Sequence, residues 1–571
     1  MSLQYMDKIL SYELLIHKGS PFELQDAVVE GVPCKIFPHG PQTLRDVFMK
    51  ALSFASREFI VKNDTRLTFG QAFRMGNHFA RNLKQKYKIK KGNRVAIIME
   101  TGPEWAVAFI AACFADAVPV VIPVEMEQRA AIKAIELTNC DAMIADISSI
   151  RKFNLSGIQR PVVIPVIPQT DAGSHIDCGK AMGFSIFILS DAPDDKNEEC
   201  VNKTRLTTPE DEALISFTSG TTGKPKGVAF SHRNITTGLM NMMLGGLRMS
   251  LGIAKDGRKQ SPGTQSCSLL LSPFSHIGGY SQLMLMCYLG GKIVLMPEWD
   301  TRQATALIEN ERIRSLCGLS QTMARDLFRA NRLINRLHSL THMNIYGVAL
   351  QRKFIRELAK EFPHISLGTG YGTTETCGAI SVVSGMELLD NPELGGLAFP
   401  SVSIKIADHF GHEAPRGKHG EIWVRGAMVM RSYCSIQDDS IVALQDGWLK
   451  TGDLGYIDRA GNLYIAGRID MLQCGKKQVS SGKLERMVCE LDTVDEAAAL
   501  RTSGRDAKIA LAVIPNSAIR IDENELAREV SACVKSYTDD IRVVAMDDFP
   551  RTASGKVDRR ALHLQIGKKY A

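Results

Sequence analysis

The chain has 571 residues, too many for a single hydrophobic core, so two or more domains are expected. With 44% hydrophobic and 23% charged residues it has ordinary globular composition, which argues against disorder; its net charge of +7 is small for this length and permits anionic ligands without arguing for nucleic-acid binding. The 13 cysteines are odd in number and scattered, with no C-x-x-C pair; they indicate neither a zinc site nor a disulfide framework and fit a reducing cytosol.

Residues 1–10 lack a basic stretch followed by an apolar core, so no signal peptide is read. Residues 67–87 predict an amphipathic helix with Phe69, Phe73, Phe79 and Leu83 as its buried positions. Residues 94–99 predict a short apolar strand. The most apolar long window, 105–124, contains Asp116, Pro119 and Pro123. It predicts a buried helix running into a short strand at 120–124, not a membrane span. Peripheral membrane contact stays open for a greasy substrate. This alternation predicts an α/β fold, with a large N-terminal domain of parallel-rich sheets covered by helices and a smaller α+β segment after it. Residues 191–208 read as a solvent loop, and 252–263 as a polar, Gly-rich, mobile insertion. A turn at 458–463, then β-like Tyr464-Ile-Ala before Gly467-Arg468, marks the approach to the second domain. No internal repeat is apparent.

The richest stretch is Leu214-Ile-Ser-Phe-Thr-Ser-Gly-Thr-Thr-Gly-Lys-Pro-Lys-Gly-Val228. An apolar strand delivers backbone amides, hydroxyls and two lysines to one place, a combination that suits phosphate. It is not a Walker A loop, because Gly220 and Gly223 are three apart and Pro225 follows Lys224. Nor is Gly368-Thr-Gly-Tyr-Gly372 a dinucleotide fingerprint, since its third Gly comes one residue early. The bland alternative for the loop is a flexible surface turn.

Further motifs follow in order: Pro273-Phe-Ser-His-Ile-Gly278, Gly370-Tyr-Gly-Thr-Thr-Glu375, Gly420-Glu-Ile-Trp-Val-Arg-Gly426, Thr451-Gly-Asp453, Gly467-Arg-Ile-Asp470 and Pro550-Arg-Thr-Ala-Ser-Gly-Lys556. With the loop, they resemble the signatures of the adenylate-forming enzymes: acyl- and aryl-CoA synthetases, peptide-synthetase adenylation domains and beetle luciferases. The likeness runs from about Thr65 onward. It implies a boundary between an N-terminal adenylation domain, 1–467, and a C-terminal cap, 468–571, that rotates between two half-reactions.

The resemblance also implies roles. Thr218, Ser219, Gly220, Thr221, Thr222, Gly223 and Lys226 would cradle the phosphates of ATP. Gly347, Val348 and Ala349 would border adenine, Tyr371 would stack on it, and Gly372 and Thr373 would continue that wall. Thr374 would contact the α-phosphate, and Glu375 would hold Mg²⁺ as a hard oxygen ligand. Asp453 would accept the ribose hydroxyls beside Arg468. Lys556 would bridge the carboxylate, ribose and α-phosphate, stabilising charge that develops in the transition state. His276 would line the acyl pocket, Asp470 would be the hinge, and Gly475 is a candidate for thiol binding. The structural alternatives are a tail lysine for Lys556, a helix-start acid for Glu375, a turn residue for Asp453, a surface arginine for Arg468, a core histidine for His276 and a solvated loop residue for Asp470.

Two segments depart from the family pattern. Tyr346-Gly-Val-Ala-Leu350 keeps Gly347 but puts Val348 where Ala is usual and lacks the Pro. Lys476-Lys-Gln-Val-Ser-Ser-Gly-Lys-Leu-Glu485 has Ser481 in the usual Pro position and Lys483 in place of the first Glu. The leading reading is a ligase that uses ATP and Mg²⁺ to turn a small carboxylic acid into an acyl-adenylate and passes the acyl group to a thiol. That thiol is CoA, or alternatively the phosphopantetheine of an acyl carrier protein. A luciferase-type oxidative enzyme and a non-catalytic homologue are the readings of other classes. A cytoplasmic location is expected.

Overall fold

The structure is a computed structural model describing residues 12–155, 161–167, 187–188, 207–218, 226–255, 265–296, 298–331, 336–345, 352–391, 393–434, 443–469, 471–474, 477–501, 509–516, 519–537, 541–552 and 557–569. Two large sheets and a small C-terminal sheet organise it. The first has eight strands in the order Ser432–Cys434, Lys226–Ser231, Glu212–Thr218, Val118–Val121, Arg94–Ile98, Ala142–Asp146, Val162–Ile167 and Phe187–Ile188. It is parallel from Glu212–Thr218 to its far edge and antiparallel at the hairpin end.

The second sheet has fourteen strands. Its centre is parallel, running Glu58–Lys62, Lys292–Leu295, Cys267–Leu270, Ser315–Leu319, His342–Ile345 and Ser366–Thr373. From Ser366–Thr373 it continues antiparallel through Gly378–Ser384, Leu394–Ala398, Leu463–Arg468, Trp448–Ile457, Gly420–Arg425 and Ser403–Ala407. The parallel-rich expectation therefore holds for the centre, and about half of the sheet, the strands beyond Ser366–Thr373, is antiparallel.

The main core contains Leu44–Ala51, Phe69–Gln85, Pro103–Phe114 and Ile277–Leu289. Phe69–Gln85 matches the expected amphipathic helix: Phe69, Phe73, Phe79 and Leu83 are all buried, and Thr68 caps it with a reciprocal Gln71 bond. Pro103–Phe114 is apolar all round and almost wholly buried, as such a helix must be in water. Its Trp105 is fully buried, stacked 5.1 Å from Phe109 and tilted 5.3 Å from Phe274. The strand after it is Val118–Val121, earlier than expected, because Arg94 pairs with Val118 and Pro123 disfavours further extension. Among the described residues no helix is long and apolar enough to cross a membrane.

The helix His232–Lys255 takes in residues 252–255, which the sequence assigned to a mobile insertion. The neutral imidazole of His232 accepts the Leu44 backbone N–H at Nδ1, 3.1 Å away, and so ties this helix to Leu44–Ala51. His232 is 9% exposed. Burial lowers its pKa from 6.5 to about 4, against the smaller opposing pull of Asp211, Asp46 and Asp116.

The smaller C-terminal domain has a hairpin, Met471–Cys474 with Lys477–Ser480, and a sheet of Val494–Arg501, Ile509–Pro515 and Ile541–Ala545. Residues alternate between its two faces. Ala497 and Ala499 pack with helices Ser481–Cys489 and Glu523–Val534, while Ala498 and Leu500 pack with Leu562 and Ile566 of Arg559–Lys569.

One turn fixes the site's geometry. Strands Ser366–Thr373 and Gly378–Ser384 approach so closely that a Cβ at Gly372 would stand 2.0 Å from the Gly378 carbonyl oxygen. Cys377 and Gly378 complete the reversal with φ of +52° and +105°.

Two stability predictions follow from these contacts. The fold holds His232 neutral, so its contribution is present above pH 6.5 and declines as pH falls towards 4, by about 3 kcal/mol in all. His232→Asn keeps an acceptor for Leu44 but does not titrate, so denaturant unfolding between pH 6.5 and 4 should lose slope; an unchanged slope would count against this assignment. Gly372→Ala should destabilise by about 1–3 kcal/mol through overpacking. An unaltered unfolding midpoint would mean that the hairpin yields without strain.

Candidate active site

The hairpin that carries the Gly- and Thr-rich loop closes at the pair Thr218 and Lys226. Its second strand pairs outward with Ser432–Cys434, setting Val228 opposite Tyr433 and Gly227 opposite Cys434. That register brings three chemical groups together. The Lys226 ammonium lies 5.2 Å from the Tyr433 ring centroid, within cation–π range. The Tyr433 hydroxyl donates to Glu375 Oε1 at 2.6 Å. The Met430 N–H donates to the Glu375 carbonyl at 2.8 Å, fixing that residue's backbone as well. Glu375 sits in the 3-10 turn Thr374–Thr376, where the Thr376 hydroxyl accepts the Thr373 N–H at 2.9 Å and donates to the Gly378 carbonyl at 2.8 Å.

A second cluster gathers on the same strand four residues earlier. The Tyr371 hydroxyl donates to Asp453 Oδ2 at 2.8 Å, and Arg468 Nη1 donates to Asp453 Oδ1 at 3.0 Å. Asp453 and Arg468 face each other across Trp448–Ile457 and Leu463–Arg468. Arg468 also holds the Thr451 carbonyl at 3.1 Å, and the Gly452 N–H donates to Glu421 Oε1 at 3.0 Å. Gly452 has φ of +69°, and a Cβ there would meet the Arg468 guanidinium at 3.1 Å. Asp453 is 8% exposed. Loss of water, and next the negative charge of Asp453, push the Tyr371 phenol well above its ordinary pKa. It therefore stays protonated and remains a donor.

Asp453 thus lies within a strand and not in a turn, and Arg468 is paired although half of its side chain meets solvent. His276 is the N-terminal cap residue of Ile277–Leu289 and is half-buried. Its motif makes a tight entry into that helix: a Cβ at Gly279 would be 1.9 Å from the Pro273 carbonyl oxygen. Thr218, Lys226, Tyr371, Gly372, Thr373, Thr374, Glu375, Asp453 and Arg468 are thus placed by adjoining strands. Ser219, Gly220, Thr221, Thr222, Gly223, Gly347, Val348, Ala349, Asp470, Gly475 and Lys556 lie outside the described residues. Tyr433 was missed by sequence reasoning; a lone Tyr seven residues past Gly426 gives no signal until strand pairing sets it beside Glu375.

The departures around residue 481 have a local explanation. Ser480 caps the helix Ser481–Cys489 by accepting the Lys483 N–H at 3.3 Å. Ser481 therefore occupies the first helical position, where Pro is also at home. Lys483 turns to its own domain, its ammonium 4.6 Å from the Tyr537 ring centroid.

Comparison with known proteins places this geometry in a family. The model of the AMP-binding enzyme family matches residues 48–434. The chain is 27% identical over 387 residues to indoleacetate–CoA ligase of Aromatoleum aromaticum, covering 67% of this chain and 73% of that one. It is 26% identical over 514 residues to 2-succinylbenzoate–CoA ligase of Bacillus licheniformis, covering 89% and 96%. In fold it resembles o-succinylbenzoate CoA synthetase of Bacillus subtilis in complex with its acyl-adenylate intermediate, with a TM-score of 0.70, 22% identity, and coverage of 90% and 97%. With most of its length matched by the family model, and the Tyr371–Glu375 hairpin linking an acidic strand pair to the mouth of a Gly- and Thr-rich loop, the chain belongs to the AMP-binding enzymes.

Proposed function

We propose that the protein is an AMP-forming acid–CoA ligase. It activates a carboxylic acid with ATP to an acyl-adenylate, releasing pyrophosphate, and passes the acyl group to the thiol of CoA. The observation that carries this reading is the convergence of Lys226, Tyr433 and Glu375 at the neck of the loop, next to the Tyr371–Asp453–Arg468 cluster. The CoA-ligase activities of the relatives from Aromatoleum aromaticum and Bacillus licheniformis support the same reaction class.

A carboxylate is a poor acyl donor because its leaving group would be oxide. Attack of its oxygen on the α-phosphorus makes a mixed anhydride whose leaving group is AMP. The difficulty is to bring two anions together, so the work is mainly positioning and charge stabilisation. In this reading Thr218, residues 219–223 and Lys226 hold the phosphates, and the Thr374 hydroxyl meets the α-phosphate. Asp453 takes the ribose hydroxyls, held in place by Tyr371 and Arg468. Lys556 places its charge between the carboxylate and the α-phosphate.

Glu375 suits a Mg²⁺ ion: it offers a hard carboxylate whose Oε1 is already oriented by Tyr433, matching a cation that draws its other ligands from phosphate and water. Mg²⁺ supplies neutralisation of the phosphate oxygens when bound. Residues 468–571 act as a cap with Asp470 as its hinge, His276 borders the acyl pocket, and Gly475 lies on the thiol side. The acceptor is CoA, with a carrier-protein phosphopantetheine as the second reading because of the departures near Ser481. The scattered cysteines, ten of which are free among the described residues, suit a cytoplasmic location.

The test is pyrophosphate release with Mg²⁺ and ATP over aryl, fatty and amino acids, with and without CoA. Multiple turnover and acyl-CoA product only with CoA would support the ligase, whereas a burst that CoA does not accelerate would reject CoA as acceptor. Lys556→Ala should lower adenylate formation by about 10²–10³-fold, the scale of removing one transition-state donor; unchanged formation would remove Lys556 from the mechanism. Tyr433→Phe keeps the ring beside Lys226 and frees Glu375. It should raise the half-saturating Mg²⁺ concentration about ten- to a hundredfold, as expected for loss of a metal ligand's orienting partner. An unaltered Mg²⁺ requirement would separate Tyr433 from metal binding.

A further inference from the structure

The seam between the large and small domains is charged, not apolar. On the helix Gln321–Asn331, Thr322, Arg325 and Arg329 recur at intervals of three and four and share one face. Opposite them is the start of strand Val494–Arg501. Arg325 Nη1 lies 2.8 Å from Asp495 Oδ1, and Arg329 Nη2 lies 3.9 Å from Asp495 Oδ2. The Thr322 hydroxyl donates to Glu496 Oε2 at 3.1 Å. Arg551 clasps Glu496 from within the small domain, with contacts of 2.7 and 3.3 Å, and approaches Asp548 Oδ1 at 3.3 Å. Its Nη2 also reaches the Thr322 hydroxyl across the seam at 3.4 Å. The side chains of Arg325, Asp495, Glu496 and Arg551 are all largely shielded from solvent.

Burying ions costs desolvation that their mutual attraction only roughly offsets, so such a cluster is weak as glue and strong in geometry. The apolar residues of the helix, Ala324, Leu327 and Phe328, belong to the large domain's core, and those of the small domain form cores of their own. Parting the seam would hydrate charges without uncovering a core, as in transient interfaces. Arg551 is also where the seam meets the Lys556 segment. It forms a backbone bridge with Val557, and the Asp558 N–H donates to the Pro550 carbonyl at 2.7 Å, so these two closures bracket residues 552–556.

We infer that Arg325 and Asp495 are positioning residues: with Thr322, Glu496 and Arg551 they dock the small domain in the arrangement that makes the acyl-adenylate, by fixing the stem of the segment that carries Lys556. This rests on the ligase reading and on Lys556 as its adenylation lysine. The helix supplies the charges from the large domain, and the Arg551 stem converts docking into placement.

The test uses Arg325→Glu, Asp495→Arg and the double exchange in the full chain. Two reactions are measured separately, carboxylate-dependent exchange of pyrophosphate into ATP and consumption of supplied acyl-adenylate by CoA. Each single variant should lower exchange about tenfold or more, as expected when one partner of a buried pair is reversed, while acyl-adenylate consumption stays within about twofold. The double variant should recover exchange to within about threefold of the unaltered protein, because the pair is re-formed with its polarity exchanged. Parallel loss of both reactions, unaltered exchange, or no recovery in the double variant would overturn the inference. If a charge reversal fails to fold, Arg325→Gln and Asp495→Asn are measured instead, with the same split expected and parallel loss or no loss overturning it. An unaltered protein inert in both reactions would reject the ligase reading itself; an active one whose variants show no split would reject only the docking role.

Discussion

The candidate site depends on one steric constraint, the approach of two strand backbones at Gly372. Because no side chain intervenes, the chain reverses within Thr374–Thr376 and returns alongside itself through Gly378. The reversal sets Tyr371 and Glu375 four residues apart yet gives them different neighbourhoods. Tyr371 reaches the antiparallel end of the large sheet and bonds to Asp453. Glu375 meets the edge of the other large sheet through Tyr433. One turn thereby couples the two large sheets. A bulkier residue at 372 would move both acidic partners together.

The two clusters differ electrostatically in a way that suits separate tasks. Around Asp453 a carboxylate is shielded from solvent and restrained on both oxygens, by a phenol held in its protonated form and by an arginine. Such an arrangement is pre-organised: little need rearrange when a polar ligand arrives. Around Glu375 one carboxylate oxygen is restrained by Tyr433, whose ring centroid lies 5.2 Å from the Lys226 ammonium.

Much of this was legible from order and spacing. The helix Phe69–Gln85 was readable because four large apolar residues recur at helical intervals behind a Thr cap. The strand Glu212–Thr218 was readable because a short apolar run leads into the Gly- and Thr-rich segment. What could not be read depends on pairing between distant strands. Tyr433 acquires its place only when Ser432–Cys434 joins the edge of Lys226–Ser231. Asp453 reads as a turn residue beside Gly452, and only the pairing with Arg468 puts it inside a sheet. The charged stripe of Gln321–Asn331 looks like any solvated helix face until Asp495 and Glu496 are brought against it. The strand at Val118–Val121 begins two residues and ends three residues before the expected 120–124, because hydrophobicity continues beyond the point where the ladder stops.

The parallel pairing of Glu58–Lys62 with Lys292–Leu295 has a consequence for how the protein is born. The two strands are neighbours in the sheet, yet Lys292 follows Glu58 by 234 residues. At ribosomal speeds of about 5–20 residues per second, that separation is ~10–50 s of synthesis. Throughout that interval a nascent chain would carry a strand awaiting a parallel partner not yet made. Such a chain is exposed to aggregation for longer than one built from local hairpins. The long crossover that completes the finished sheet therefore makes the unfinished one a client for molecular chaperones.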